Sequence, residues 1–187
     1  MTTRDPLRLT VALRPIEVED ADRVHEWASQ KRACQFQPWG PNTREQTVAF
    51  VTEAASLWEW PHGPRLVWAA ESALGVVGLG EFRLNASSCA EISYAVHVDY
   101  WGRGLGTEIA RLLLAKAFAD LAVERVQATC DPRNLASAAV LRHVGLVLEG
   151  TMRHTLHLRD GWRDSMMFSI LRGEWTPQAT TEQFDSK

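Results

Sequence analysis

Val98-Asp99-Tyr100-Trp101-Gly102-Arg103-Gly104-Leu105-Gly106-Thr107-Glu108 joins two different hydrophobic periods. Before it, Ile92 to Val98 is an apolar run of strand type. After it, Leu105, Ile109, Leu112 and Leu113 recur at i, i+4, i+7 and i+8, one face of a helix. Three glycines therefore occupy a strand-to-helix turn. Glycine lets the backbone turn tightly and brings its N–H groups close to a ligand. The first turn of a helix leaves N–H groups unpaired and carries a partial positive charge. The stretch predicts an anion site, most naturally for a phosphate.

Two common phosphate motifs are excluded by spacing. A dinucleotide fingerprint needs G-x-G-x-x-G, and here its third glycine would fall on Thr107. A P-loop needs G-K-S/T at its end, which this turn lacks. The bulk numbers narrow the class further. The 187 residues suit one domain, and 45% hydrophobic with 23% charged residues is ordinary for a globular protein. No apolar stretch approaches the ~20 residues of a membrane span, and Met1 to Pro6 lacks the apolar core of a secretory signal. Three cysteines without metal-type spacing fit reduced thiols in a cytoplasmic protein. A net charge of −3 argues against general nucleic-acid affinity.

Working outward, Leu7 to Pro15 alternates like a strand, and Glu19-Asp20 opens a helix with Val24, Trp27 and Ala28. Thr43-Arg44-Glu45-Gln46 is a capping box ahead of a second helix. Leu66 to Ala70, Val76 to Phe82 and Ala90 to Val98 read as three successive strands. The glycine turn follows, then a helix to about Asp120, a strand Arg125 to Cys130, and a helix that stops at Gly145. Leu146 to Leu158 and Arg163 to Leu171 are extended, with a hairpin signal at Asp160-Gly161. From Pro177 on the chain is polar, so residues 1–176 are expected to form the domain and 177–187 a tail.

This order resembles that of the GCN5-related N-acetyltransferases (GNAT), in the branch of RimJ/RimL-like ribosomal-protein N-terminal acetyltransferases. The glycine turn is similar to the family's pyrophosphate loop, Q/R-x-x-G-x-G/A: Gly104 and Gly106 match, and Trp101 replaces the usual Gln or Arg. Leu13-Arg14-Pro15, Pro38-Trp39, Ala90-Glu91-Ile92, Asn134-x-x-Ser137, Leu148-Glu149-Gly150 and Gly161-Trp162-Arg163-Asp164 fall in the matching order. The resemblance implies an α/β (α+β) fold: a mixed, mostly antiparallel sheet with one splayed strand pair and flanking helices. It implies acetyl-CoA as donor, no metal, and a primary amine as acceptor, either a protein N-terminus or a small amine. A homodimer is a further expectation from the family.

The same resemblance assigns residues. The strand through Val96, His97 and Val98 would pair with the coenzyme's pantetheine arm, and the N–H groups of Arg103, Gly104, Leu105, Gly106 and Thr107 would hold its pyrophosphate. Asn134 would contact the coenzyme near the thioester, the alternative being a simple cap for the helix it starts. Ser137 would lie near the sulfur, where it could protonate the leaving thiolate. A carboxylate can take the amine's proton, directly or through water. Glu91, at the start of the strand that leads to the loop, is the first candidate, and Glu81 on the neighbouring strand is the second. Trp39, Trp58, Trp60 and Trp162 line the acceptor pocket or belong to the core; sequence does not separate these. Two alternatives stay open: another acyl-CoA such as succinyl-CoA, whose carboxylate would need Arg83 or Arg153, and a coenzyme-binding sensor without catalysis.

Overall fold

A computed structural model describes residues 9–86, 88–121 and 123–176. The elements run β1 (Ala12–Pro15), α1 (Ala21–Ala28), α2 (Arg44–Ser56), β2 (Arg65–Ser72), β3 (Gly75–Ala86), β4 (Cys89–Val96), α3 (Leu105–Asp120), β5 (Arg125–Cys130), α4 (Leu135–His143), β6 (Val147–Leu158) and β7 (Gly161–Leu171). The strands form one sheet in the order β1-β2-β3-β4-β5-β7-β6. Every neighbouring pair is antiparallel except β4 and β5. The expected mixed, mostly antiparallel sheet is therefore the one observed. The start of β1 predicted at Leu7 and Arg8, and the tail from Pro177, lie outside the described residues.

Strand alternation sorts the core into two layers. On β2, Leu66, Trp68 and Ala70 join one cluster with Ile92, Leu113, Val126 and Phe168, under α3 and α4. Val67 and Ala69 join the other, with Val24, Trp27 and Val51, under α1 and α2. A strand covered on both faces reads as a continuous apolar run, as Leu66 to Ala70 does. The capping box at Thr43 forms as predicted: Gln46 N donates to Thr43 Oγ1 at 3.3 Å, and Thr43 N donates to Gln46 Oε1 at 2.9 Å. On α3 the buried stripe is Leu105, Ile109, Ala110, Leu113, Leu114 and Ala117. Leu112, expected on that face, sits half-buried at its edge. Gly78 leaves room for both neighbours, for a Cβ there would collide with the Ala95 carbonyl of β4 and stand 3.0 Å from Ile109 Cδ1 of α3.

Two features of β4 set up the site. Its ladder with β5 holds only at Cys89, Ala90 and Glu91, opposite Arg125, Val126 and Gln127. From Ile92 onward the two strands separate. The strand also ends two residues sooner than the sequence predicts. His97 caps a single 3-10 turn, Val98–Tyr100, with Nδ1 accepting from Asp99 N at 3.2 Å. The local hydrogen bond competes with continued strand, and the backbone turns toward the glycine loop.

Candidate active site

The glycine loop links the end of β4, where the ladder to β5 has already stopped, to the start of α3. Gly102 and Gly104 have φ of +78° and +77°, the left-handed region that glycine adopts without a Cβ clash. Gly104 is the N-cap of α3 and no side chain caps it. The helix's first internal bond at this end runs from Glu108 N to Gly104 O, 3.1 Å. The N–H groups of the first turn therefore have no side-chain acceptor at the cap, the arrangement that suits an anion. Arg103 is exposed, with its guanidinium 5.3 Å from the Tyr100 ring centroid. Leu105 is buried and anchors the turn, while Gly106 has Tyr94 and Val140 at ordinary contact distance from where a Cβ would lie.

Backbone direction alternates along a strand, so β4 residues point in turn toward β3 and toward the gap. His97 N donates to Val77 O at 2.8 Å, toward β3. Its side chain is 3% exposed. His97, expected to meet the coenzyme, is thus turned into the fold, and Val98 is buried beside it. Val96 belongs to the opposite phase, and its carbonyl accepts from Trp101 Nε1 at 2.8 Å. Trp101, the residue that departs from the family loop, also stacks under the Arg32 guanidinium at 4.8 Å.

At the inner end of the gap, Tyr94 crosses from β4 to α4. Its hydroxyl lies 3.1 Å from Ser137 Oγ and 3.4 Å from Ser137 O. Burial pushes the phenol up to about 12, against the opposing pull of the Ser137 hydrogen bond. Asn134 Oδ1 accepts from Ser137 N at 3.0 Å, which caps α4 and fixes the serine. A small cavity of about 70 Å³ lies here, lined by Tyr94, Cys130, Asn134 and Ser137 among others. Burial raises the Cys130 thiol above its ordinary value, so it is held as a packed neutral group.

On the other face of β4 a cavity of about 660 Å³ opens beneath the chain between α1 and α2. Trp27, Trp39, Phe50, Glu81, Arg83 and Ser93 help to line it. Gln37, Ser93 and Tyr94 line both spaces, so the two meet at the middle of β4. Glu81 faces Ser93 across the β3–β4 ladder and accepts from Arg65 Nε at 3.0 Å and Arg83 Nε at 2.5 Å. Glu91, ranked first from sequence, is outside this lining. It accepts from Asn85 Nδ2 at 2.9 Å and Gln127 Nε2 at 3.4 Å at the closed end of the gap. The tryptophans now separate. Trp39 meets Trp27 edge to face at 6.1 Å in the cavity wall, and Trp58 packs on Trp68 in the core. Trp60 and Trp162 are 76% and 61% exposed.

Sequence reasoning missed Tyr94, although its parity with Ile92 on β4 puts it on the α3–α4 face. It also missed the brace made by the β6–β7 turn. Arg159 Nη2 donates to Cys34 O at 2.7 Å, holding the cavity's outer loop. Arg133 bridges the buried Asp131 at the tip of β5 to Asp160 in that turn, both at 2.7 Å. No local sequence pattern announces contacts across such distances.

Comparison with known proteins decides the family, for residues 10–147 match the acetyltransferase (GNAT) domain family. The chain belongs to the GNAT N-acetyltransferases. An uncharacterized N-acetyltransferase of Bacillus subtilis is 24% identical over 163 residues, 87% of this chain and 94% of the relative. Spermidine N(1)-acetyltransferase of Escherichia coli is 24% identical over 181 residues, 94% of each. RimL, a ribosomal-protein alpha-N acetyltransferase solved in complex with coenzyme A, superposes with a TM-score of 0.77 at 21% identity, over 87% of this chain and 94% of that one. The acetyltransferase transfers acetyl groups from acetyl-CoA to amines, and its fold matches that of RimL.

Proposed function

We propose that acetyl-CoA lies in the β4–β5 gap, pyrophosphate on the first turn of α3 and thioester beside Ser137, and that the acceptor amine reaches it from the cavity across β4. The observation that carries this reading is that Ser93 and Tyr94 line both spaces. The N–H groups of Arg103, Gly104, Leu105, Gly106 and Thr107 hold the pyrophosphate. The pantetheine arm pairs with the open side of β4 at Val96, with His97 left out because its N–H is bonded to Val77. Asn134 serves by fixing Ser137, with its amide nitrogen turned to the coenzyme.

In the reaction the amine attacks the thioester carbonyl and the C–S bond breaks. The departing sulfur needs a proton and the new amide must lose one. Ser137 Oγ–H supplies the first, with the Tyr94 phenol 3.1 Å behind it as the reserve donor. Glu81 takes the second, through Oε2, which Arg65 Nη2 holds only at 3.4 Å. Glu91 supports the strand junction instead. Orientation of the two substrates supplies much of the remaining rate. The acceptor is a protein N-terminus or a small amine, the two kinds that the names of RimL and the spermidine enzyme represent. Three unpaired thiols suit a cytoplasmic setting. Exposed Val147, Leu148, Met152 and Leu156 along the edge strand β6 support a homodimer through that edge.

The test follows thiol release from acetyl-CoA alongside calorimetric titration with acetyl-CoA. Ser137→Ala is expected to lower kcat by about 10²-fold while acetyl-CoA affinity is kept. A wild-type protein that binds no acetyl-CoA overturns the reading, and a Ser137→Ala enzyme with full turnover removes the serine from it.

A further inference from the structure

The acceptor cavity has a charge opposite in sign to the chain's. The whole protein is −3, yet three arginines, Arg65, Arg83 and Arg159, line the cavity against one carboxylate, Glu81. Their commitments differ. Arg65 is bonded to Glu81 and to Glu53. Arg159 donates to the backbone carbonyls of Cys34, Gln37 and Trp39, so no carboxylate among the described residues answers its charge. Arg83 uses only Nε, on Glu81; both of its Nη groups lack a partner among the described residues. Of the three guanidiniums, the Arg83 fork is therefore the one with both Nη groups open to a ligand.

Resting on the reading of the site given above, we propose that the acceptor is a primary amine that carries its own carboxylate a few bonds away. Its amine faces Glu81 and its carboxylate takes the free fork of Arg83. Glu81 Oε1 and Arg83 Nε are 2.5 Å apart, so the cavity presents one negative and one positive group side by side. A zwitterionic end matches that pair, whereas a polyamine would bring two or more cations to a wall with three guanidiniums. A planar guanidinium with two free donors is also the geometry that grips a carboxylate with two bonds. The same chemistry comes from two sources, a free acidic amino acid or a peptide N-terminus followed by an acidic residue.

Thiol release from acetyl-CoA is measured with matched acceptors. Glutamate is set against its diamide, a peptide beginning Ser-Asp against one beginning Ser-Asn, and spermidine is the cationic control. The acidic member of at least one pair is expected to show a kcat/KM higher by about tenfold or more, the worth of a charge-assisted hydrogen bond. Arg83→Ala should erase that preference mainly through KM, with a smaller effect on the neutral member, and Arg83→Lys should restore part of it. Arg83 is 58% exposed, so neither variant threatens the fold. The amino-acid and peptide arms tell the two sources apart. Preference for spermidine or for the neutral members overturns the proposal, as does an equal loss on acidic and neutral acceptors in Arg83→Ala. Parallel titration with acetyl-CoA separates the two failures. If the coenzyme binds and cationic amines are acetylated best, the acceptor proposal alone falls. If the coenzyme does not bind, the reading of the site falls with it.

Discussion

The two spaces on either side of β4, proposed above for donor and acceptor, are made of different material. The coenzyme side is built largely of backbone: a strand edge released from its neighbour after Glu91, two glycines in left-handed conformation, and a helix start that no side chain caps. The acceptor side is built of side chains from five separate segments: α1, the loop after it, α2, the β2–β4 face and the β6–β7 turn. A backbone site tolerates sequence drift on its surface but not a change of backbone conformation. A side-chain site behaves in the reverse way, which is why one fold carries one donor and many acceptors.

Gly104→Glu attacks the backbone side where it is least tolerant. A Cβ there meets nothing within 4 Å, so the substitution is not a clash. It costs about 1–2 kcal/mol for an L residue in the left-handed region, and the carboxylate competes for the helix start that should hold the pyrophosphate. Acetyl-CoA affinity, measured by calorimetry, is expected to fall by about 100-fold or more, from strain and repulsion together. Unchanged affinity would place the coenzyme elsewhere and end the contrast between the two sides.

The residue between the two sides should give the next largest effect. Tyr94→Phe keeps the ring that spans the gap and removes the hydroxyl behind Ser137. A kcat loss of about tenfold is expected, smaller than for Ser137 itself, because a serine can still exchange protons with water. Burial holds the Tyr94 phenol at about 12. It therefore stays protonated through and above neutral pH, and its removal should leave the pH profile of kcat below pH 9 unchanged in shape. The stability sign follows from the same shift. A folded value raised above the unfolded value of about 10 gives stability that is present below pH 10 and lost as pH rises toward 12. Ultraviolet titration of the phenolate, in wild type and Tyr94→Phe, checks it.

The carboxylates sharpen the contrast further. Glu81→Gln, in the cavity wall, is expected to lower kcat/KM by about tenfold or more, whereas Glu91→Gln should stay within about twofold, since its bonds to Asn85 and Gln127 join strands and not substrates. The reverse order would return the base to the strand junction.

What the sequence made legible follows the same division. Gly104, the periodic stripe of α3 and the Thr43 capping box are local patterns whose physics acts within a few residues, and each appears where its pattern stands. β4 ends short of its apolar run because His97 trades strand for a side-chain cap, a choice between two local hydrogen bonds that apolar periodicity does not register. Sequence ranks Glu91 ahead of Glu81 by family resemblance alone, for alternation treats the two alike on adjacent strands. Only the register that sets Glu81 opposite Ser93, and Glu91 at the closed junction, divides them. Arg83, Arg159 and Trp27 meet around one cavity from positions far apart in the chain, and no spacing rule reaches that far.

The smallest expected effect lies at the closed end of the sheet, away from both proposed substrate spaces. Glu149 on β6 accepts from both Nη groups of Arg125 on β5 at 2.6 Å, and from Ser169 Oγ on β7 at 2.7 Å, tying three strands. Arg125 first, then Ser169, holds the carboxyl at about 2, below its ordinary value. Folded below unfolded means that the pair stabilises the protein above the unfolded value of about 4.3 and that this contribution fades as pH falls through about 2. Because the pair is solvent-exposed, salt and water screen most of it. Glu149→Gln should therefore lower Tm slightly at pH 7 and by less near pH 2, where the folded carboxyl is half protonated. Acetyl-CoA affinity at pH 7 should match wild type, because this corner keeps β5, β6 and β7 together while the donor gap opens at the other end of β5. A Glu149→Gln enzyme that lost donor affinity would show that the closed and open ends of the strand junction are mechanically coupled, and that the backbone site depends on side chains after all.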